Sequence, residues 1–264
     1  MALKYERLAD DLRESIRSGE LAAGEQLPTS TTLSEKYGVS LPTVRQALDV
    51  LRTEGLIDSR QGVGVYVRPP RRKVVRSNTN SHFDKARVHE PESARAATGS
   101  TERNTGLDVS ELEFEAQYAV VNADEDLAGA FNVPVGTKLL RRDYRTRSTA
   151  ETAPFNLARS YLIYDMVAAN PRLLDEANEP WPGGTQHQLS TIGIELDRII
   201  EAVTTRPPTP AEAEQLDIAP GVPVFLIRKT SVDTTGRVVD IADVTLPGDR
   251  TELVFETPLE RWTK

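Results

Sequence analysis

The sequence predicts an α+β fold made of two domains. Up to about residue 70, apolar residues recur at helical spacing in three successive segments, and a glycine-tipped hairpin follows. From about residue 108, stretches that alternate apolar and polar residues succeed one another, a pattern typical of an antiparallel sheet with helices packed on it. The 264 residues are enough for two separate hydrophobic cores.

The first helix follows from the spacing of its apolar residues. Leu8, Leu12 and Ile16 recur at every fourth position, so they lie on one face of a helix. Gly19 follows directly and is a natural C-terminal stop. We therefore expect an amphipathic helix over residues 4–18.

A second and a third helix are expected on either side of a tight turn at Gly38. Leu33 and Tyr37 indicate a short second helix, and Ser40 is a good N-cap for the third. The apolar stripe of the third helix consists of Leu41, Val44, Leu48 and Leu51. Polar residues lie off that stripe in its first turns, the part of a recognition helix that meets base edges in the major groove of DNA.

A hairpin should follow the third helix. Leu56-Ile57 and Val65-Tyr66-Val67 read as two short strands, and the glycine-containing stretch between them permits a tight tip. Such a hairpin, placed beside a helix-turn-helix, is a wing that can reach the neighbouring groove or backbone. The N-terminal part is therefore predicted to be a winged helix-turn-helix.

These elements resemble the N-terminal domain of GntR-family bacterial transcription regulators. The resemblance runs from residue 5 to residue 67 and is carried by Leu27-Pro28, Tyr37-Gly38-Val39-Ser40, Thr43-Val44-Arg45-Gln46-Ala47-Leu48, Glu54-Gly55-Leu56-Ile57 and Gly62-Val63-Gly64-Val65-Tyr66-Val67. It implies that Arg45 is the main base reader, and Arg can bind guanine bidentately. The other DNA-binding residues it implies are Thr31, Ser40, Leu41, Pro42, Thr43, Gln46, Gln61 and Gly62.

Charge is distributed unevenly along the chain. The net charge is −8, yet residues 1–76 carry 13 Lys and Arg against 10 Asp and Glu. A mildly basic N-terminal part on an acidic body is typical of a DNA-binding module joined to a domain that does not bind DNA. A basic cluster follows the wing and either runs along phosphates or solvates a linker; it comprises Arg68, Arg71, Arg72, Lys73 and Arg76.

Composition also predicts the domain boundaries. Residues 71–107 are polar and read as a linker between a DNA-binding domain over 1–70 and a second domain over 108–258. Strands of the second domain are expected near 112–121, 138–147, 154–163, 194–205, 222–232 and 237–246. Its short helices are expected near 124–131, 171–174, 185–191 and 210–216.

The second domain resembles the UTRA effector-binding domain of the HutC-type branch of the same family, which has a chorismate-lyase-like fold. The matching blocks are Gly136-Thr137-Lys138-Leu139-Leu140-Arg141-Arg142, Ala153-Pro154, Arg159-Ser160-Tyr161-Leu162, Pro220-Gly221-Val222-Pro223-Val224 and Gly236-Arg237-Val238-Val239-Asp240. The resemblance implies a small-molecule effector held between the sheet and short helices. The residues it implies are Arg142, Tyr144, Arg159, Ser160, Thr185, His187 and Asp240. An arginine suits a carboxylate or phosphate, and an aspartate accepts from hydroxyls.

Together these patterns predict a transcriptional regulator, namely a repressor that binds a pseudo-palindromic double-stranded DNA operator as a homodimer and is released by a small-molecule effector of unknown identity. The alternative is a ligand-independent repressor of a mobile-element or housekeeping operon whose C-terminal domain only dimerises. A remote alternative is a lyase-type enzyme on the C-terminal fold.

We expect no enzymatic activity, and hence no catalytic residues, no metal and no cofactor. The chain has three His and no Cys, and it contains no nucleophile-elbow, HExxH, Walker or dinucleotide-binding motif. No apolar run approaches the roughly 20 residues that a membrane-spanning helix needs, and the N-terminus does not resemble a signal peptide. These observations predict a cytoplasmic protein without a membrane partner.

Overall fold

A computed structural model of the chain describes residues 3–60 and 63–259. Its helices are α1 (Lys4–Ser18), α2 (Ser30–Tyr37), α3 (Leu41–Thr53), α4 (Thr79–Ala86), α5 (Glu92–Ala97), α6 (Ser100–Thr105), α7 (Glu125–Phe131), α8 (Tyr164–Val167), α9 (Gly184–Ser190) and α10 (Pro210–Gln215). Its strands are β1 (Ile57–Arg60), β2 (Gly64–Val67), β3 (Val74–Ser77), β4 (Leu112–Asn122), β5 (Lys138–Ser148), β6 (Asn156–Ile163), β7 (Leu196–Arg206), β8 (Val224–Asp233), β9 (Val238–Pro247) and β10 (Thr251–Val254).

The chain divides into two compact units. The first comprises residues up to 72 together with 207–223, and the second comprises 73–206 together with residues from 224 onward. We call them the first unit and the second unit. The predicted α+β fold class, a winged helix-turn-helix plus an antiparallel sheet with helices, is confirmed.

The first unit is a three-helix core with a wing. Leu8 of α1, Leu33 of α2 and Val44 of α3 are almost completely buried in one apolar cluster. Strands β1 and β2 pair antiparallel, and the backbone of residues 24–27 bonds along β2. The spacing of apolar residues in the sequence therefore identified the residues that hold the three helices together.

The segment 207–223 belongs to the first unit, although it lies far along the chain. Leu216 in this segment is fully buried, and Arg68 donates hydrogen bonds to both the backbone oxygen and the carboxylate of Asp217. Gly221 lies against Thr53 at the end of α3. Because the segment is the connection between β7 and β8, a sequence-based division into consecutive domains does not detect it.

Gly221 is the position where this packing is most sensitive. Its φ is +88°, and an added Cβ would lie 2.2 Å from the Cγ2 atom of Thr53. We expect Gly221→Ala to lower the free energy of unfolding by about 1–3 kcal/mol, because both the backbone conformation and the contact are strained. Urea denaturation of the full chain measures this difference.

Gly236 provides the matched control. Its φ is +87°, but a Cβ there would meet no atom within 4 Å. Gly236→Ala thus introduces the backbone strain without the steric contact. Equal losses of stability in the two variants would show that the contact between Gly221 and Thr53 is unimportant.

The second unit is built on a six-stranded antiparallel sheet with strand order β4-β5-β6-β9-β8-β7. Alternate residues along a strand face opposite sides, so Leu139 and Leu140 of β5 belong to two different cores. Leu139 packs with Phe131 of α7, whereas Leu140 packs with Leu189 of α9. Both faces of the sheet are therefore covered by helices.

The interval predicted as a linker is folded from residue 74 onward. It contains β3, which pairs parallel with β10, and the helices α4, α5 and α6. Polar and cation–π contacts hold it together: Arg103 lies 4.0 Å from the centre of the Phe83 ring, and the side chain of Asn80 bonds to Asn104 and Arg103. Such contacts produce no apolar periodicity, which explains why the sequence suggested a linker.

Among residues 3–60 and 63–259, no helix is both long enough and apolar enough to span a bilayer.

Candidate nucleic-acid interface and ligand site

The N-terminal half of α3 presents polar side chains to solvent. Ser40 caps the helix by accepting a hydrogen bond from the backbone N–H of Thr43, and the hydroxyls of the two residues lie 2.9 Å apart. Arg45 and Gln46 are exposed, and no other described residue bonds to their side chains. These two side chains are therefore available to an external partner.

Ion pairs and hydrogen bonds fix the position of α3. Arg13 of α1 makes a bidentate contact with Glu54, with nitrogen–oxygen distances of 2.6 and 2.7 Å. Arg52 donates to the Ser59 hydroxyl of β1 and also pairs with Asp49. Because these polar residues of α3 are held within the protein, the free polar surface of the helix is concentrated near its N-terminus.

Leu41 departs from the expected apolar stripe. The other stripe members, Val44, Leu48 and Leu51, are at most 4% exposed, whereas Leu41 is 41% exposed. As the first residue of α3, it lies one turn before Arg45, and the core of the first unit does not cover it. The stripe prediction was wrong at this position because the core is filled from Val44 onward.

Four further residues were predicted to bind DNA: two of them are exposed, and the other two lie outside the described residues. Thr31 is exposed in the first turn of α2, and Pro42 is exposed at the start of α3. Gln61 and Gly62, predicted at the wing tip, lie outside the described residues. Side chains of the basic cluster contact the protein itself: Arg68 and Arg71 bond to Asp217 and Leu216, and Arg76 pairs with Glu201.

The predicted ligand residues converge at Arg142, which is fully buried on β5. Its Nη1 donates to Gln188, and its Nη2 donates to the Ser160 hydroxyl at 2.7 Å. Asp240 accepts from Ser160 at 2.6 Å and lies 3.5 Å from the guanidinium. Thr185 lies 3.4 Å from the same Nη2. We call the group of Arg142, Ser160, Thr185, Gln188 and Asp240 the arginine cluster.

Strand register explains this convergence. Arg142 is paired with Ser160 on β6 and with Tyr118 on β4, so the three residues lie in one row across the sheet. Asp240 lies two residues from Ala242, the partner of Ser160, and therefore faces the same side. Helix α9 contributes the remaining partners over this face.

A carboxylate and two tyrosines border the arginine cluster. Glu179 accepts hydrogen bonds from Tyr118, from Tyr144 at 3.0 Å and from Gln188 at 2.8 Å. Burial and the nearby Glu179 carboxylate raise the pKa of Tyr118 to about 12, and burial also raises the pKa of Tyr144 well above its usual value. Both tyrosines are thus neutral hydrogen-bond donors at physiological pH.

Sequence reasoning missed three of these residues. Tyr118 lies on the alternating strand β4, so the pairing of β4 with β5 would have identified it. Glu179 lies in a loop, and Gln188 belongs to a short helix. No sequence pattern points to the two of them, because their positions depend on how the chain folds back over the sheet.

Two predicted residues lie away from the direct contacts of Arg142. His187 accepts a hydrogen bond at Nδ1 from the Trp181 indole, and burial together with the Arg95 charge lowers the pKa of His187. Arg159 neighbours Ser160 on β6, so it faces the opposite side of the sheet, where it pairs with Asp143. Arg159 therefore does not join the arginine cluster.

Comparison with known proteins gives a family match for both the N-terminal and the C-terminal part of the chain. The family described as "Bacterial regulatory proteins, gntR family" matches residues 4–67, and the UTRA domain matches residues 115–252. An HTH-type transcriptional regulator of Streptomyces coelicolor is 30% identical over 247 residues, which cover 91% of this chain and 87% of that protein. The histidine utilization repressor of Klebsiella aerogenes is 27% identical over 255 residues, covering 94% and 92%.

A solved structure also resembles the whole chain. It is a GntR-family transcriptional regulator that is 25% identical in sequence, with a TM-score of 0.66 and 98% of each chain covered. The GntR and HutC-type resemblances predicted from the sequence are thus confirmed. The chain belongs to the GntR family of bacterial regulatory proteins, in the branch that carries a UTRA domain, and it is a helix-turn-helix transcriptional regulator.

Proposed function

We propose that this regulator is a repressor that binds a pseudo-palindromic operator as a homodimer and is released by a small molecule bound at the arginine cluster. Residues 1–70 would be the DNA-binding domain, and residues 108–258 the effector-binding and dimerisation domain. A repressor of this kind acts on bacterial DNA and would therefore work in the cytoplasm.

The exposed flank of α3 carries the DNA-binding part of the proposal. Arg45 and Gln46 lie in the first turns of a helix whose other charged residues are engaged within the protein. Arginine and glutamine are the side chains that can read guanine and adenine bidentately in the major groove. The ion pair between Arg13 of α1 and Glu54 at the C-terminal end of α3 would hold α3 in a fixed orientation against α1.

The ligand-binding part of the proposal rests on the buried charges of the arginine cluster. Burial works against the charge of Arg142, yet Tyr144 and Asp240 help to keep its pKa above the usual value. Its Nε atom is buried and has no hydrogen-bond partner among the described residues. An unsatisfied buried donor is costly, so a ligand oxygen placed there would be favoured.

Binding to DNA is tested by recovering the genomic fragments that the full-length protein retains. We expect enrichment of a short two-fold symmetric sequence, because a dimer presents two recognition helices. Uniform retention of all fragments at moderate salt would contradict sequence-specific binding, since non-specific binding is dominated by phosphate contacts.

Effector release is tested by titrating metabolites against the protein–operator complex. A true effector should weaken operator binding in the wild type, and its effect should diminish in Glu179→Gln, which removes the carboxylate beside the arginine cluster. The matched control is Glu113→Gln, because Glu113 is exposed and pairs with Arg147. An effector that acts equally on all three proteins would bind elsewhere.

The two edge strands of the sheet are candidates for the dimer contact. Strand β7 is an eleven-residue edge with Ile200 53% exposed, and the other edge, β4, has Val120 55% exposed. Exposed apolar edges tend to pair with another chain. We propose that β7 forms the contact, because Val203 adds a second exposed apolar side chain on this strand.

Charged substitutions distinguish the two edges. We expect Ile200→Lys to raise the dimer dissociation constant roughly tenfold or more, since a cation must be desolvated in each half of the contact. Val120→Lys places the same charge on β4 and should leave the dimer unchanged. Analytical ultracentrifugation measures both. Dissociation in Val120→Lys alone would place the dimer contact on β4.

A further inference from the structure

We propose that Leu41 is a specificity-determining residue that reads the methyl group of a thymine in each half of the operator. This inference rests on the proposed binding of α3 in the major groove. It assigns a base preference to a position whose side chain cannot form a hydrogen bond.

The exposure of Leu41 is the first supporting observation. Leu41 is 41% exposed, while the apolar residues that follow it on α3 are buried in the core of the first unit. The core therefore gains little from a leucine here. A solvated leucine gains free energy when a partner covers its apolar surface.

The location of Leu41 determines which partner would cover it. Leu41 is the first residue of α3, and residues four apart on a helix are neighbours on its surface, so it lies beside Arg45. The N-terminal residues of a recognition helix are the ones that contact base edges. An apolar side chain at this place would meet the groove rather than the phosphates, which are contacted through charges and hydrogen bonds.

The chemistry of the major groove then selects the base. In the major groove guanine presents two acceptors, adenine an acceptor and an amino group, and cytosine an amino group, and a leucine would leave all of these unpaired. Thymine presents the C5-methyl group, the apolar feature that the four unmodified bases offer to the groove. Leu41 should therefore favour thymine beside the base contacted by Arg45.

A methyl-deletion scan tests this inference. The operator is first selected from random duplexes with the full-length protein, and each thymine is then replaced by uracil, which removes only the methyl group. We expect one symmetry-related thymine per half-site at which this replacement weakens wild-type binding by roughly fourfold, the factor that burying one methyl supplies. In Leu41→Ala the same replacement should have no effect.

Controls separate this inference from the proposed function. Val135→Ala truncates another exposed apolar residue, which lies in the second unit and outside the recognition helix, and should retain the full uracil penalty. If the wild type selects an operator but Leu41→Ala keeps the same penalties, or if no thymine methyl matters, the role of Leu41 is refuted. If the wild type selects no sequence, the proposed operator binding itself fails.

A second variant gives a gain of specificity. Leu41→Arg replaces the apolar side chain by one that can bind guanine O6 and N7. Selection with this variant should replace the thymine by guanine at the same position, with the remaining operator sequence retained. Retention of thymine there would contradict a contact between residue 41 and that base.

Discussion

Substitution of Arg45 by alanine is expected to weaken specific operator binding strongly while leaving the protein folded. Arg45 is exposed, and no other described residue bonds to its side chain, so the free protein loses little when the guanidinium is removed. A bidentate contact between arginine and guanine contributes about 1–3 kcal/mol. Two half-sites together would lose about 2–6 kcal/mol, which corresponds to at least a thirtyfold weaker affinity.

Two further variants identify the origin of that loss. Arg45→Lys keeps the charge but cannot bind guanine bidentately, so it should also lose specificity while retaining salt-dependent binding to random duplex. Arg145→Ala removes an exposed arginine of the second unit and should not alter operator affinity. Titration of operator and random duplexes by fluorescence anisotropy measures all three. An unchanged operator affinity in Arg45→Ala would remove Arg45 from base recognition.

The sequence predicted the elements whose residues alternate between core and solvent. The spacing of Leu8, Leu12 and Ile16 matched α1, and the alternation over residues 112–121 matched β4. Capping residues indicated where helices begin, since the side chains of Ser40 and Asp124 accept hydrogen bonds at the N-termini of α3 and α7. These features depend only on neighbours along the chain, so they can be read without tertiary information.

Features that depend on distant contacts were not predictable in this way. The segment 207–223 joins the first unit through Arg68 and Thr53, which lie far earlier in the chain. The interval around α4–α6 is held by stacking of arginines on Phe83 and by amide hydrogen bonds. Neither kind of contact leaves a periodic signal in the sequence.

The proposed ligand site shows the same division between residues that were predicted from the sequence and residues that only the fold reveals. Arg142, Ser160 and Asp240 were implied by the resemblance to the UTRA domain, and they lie together because the strand register places them on one face of the sheet. Arg159 was grouped with them although its neighbour Ser160 faces the other side. Glu179 reaches the site from a loop, and only the fold reveals it.

The burial of Arg142 changes what its replacement should do. If Arg142 served only to bind an effector, its replacement would affect only the ligand response. In the structure the substitution would leave Asp240 as a buried carboxylate without its cation and would remove a donor from Gln188. We therefore expect the free energy of unfolding of the second unit to fall by about 3–5 kcal/mol, the range found when one partner of a buried ion pair is removed. Urea denaturation followed by tryptophan fluorescence would detect this loss.

Charge removal at Asp240 should then restore stability. The double variant Arg142→Met with Asp240→Asn no longer buries an unpaired charge, while the new amide still accepts from Ser160, so we expect it to recover at least half of the loss. Arg159→Ala, on the neighbouring strand β6, is the matched control. It should change the free energy of unfolding by less than about 0.5 kcal/mol, because the ion pair of Arg159 with Asp143 is solvent-exposed. If the double variant were as unstable as the single one, the loss would come from the contacts to Gln188 and Thr185 rather than from the buried charge. The balance between Arg142 and Asp240 would then play no part in holding this site together.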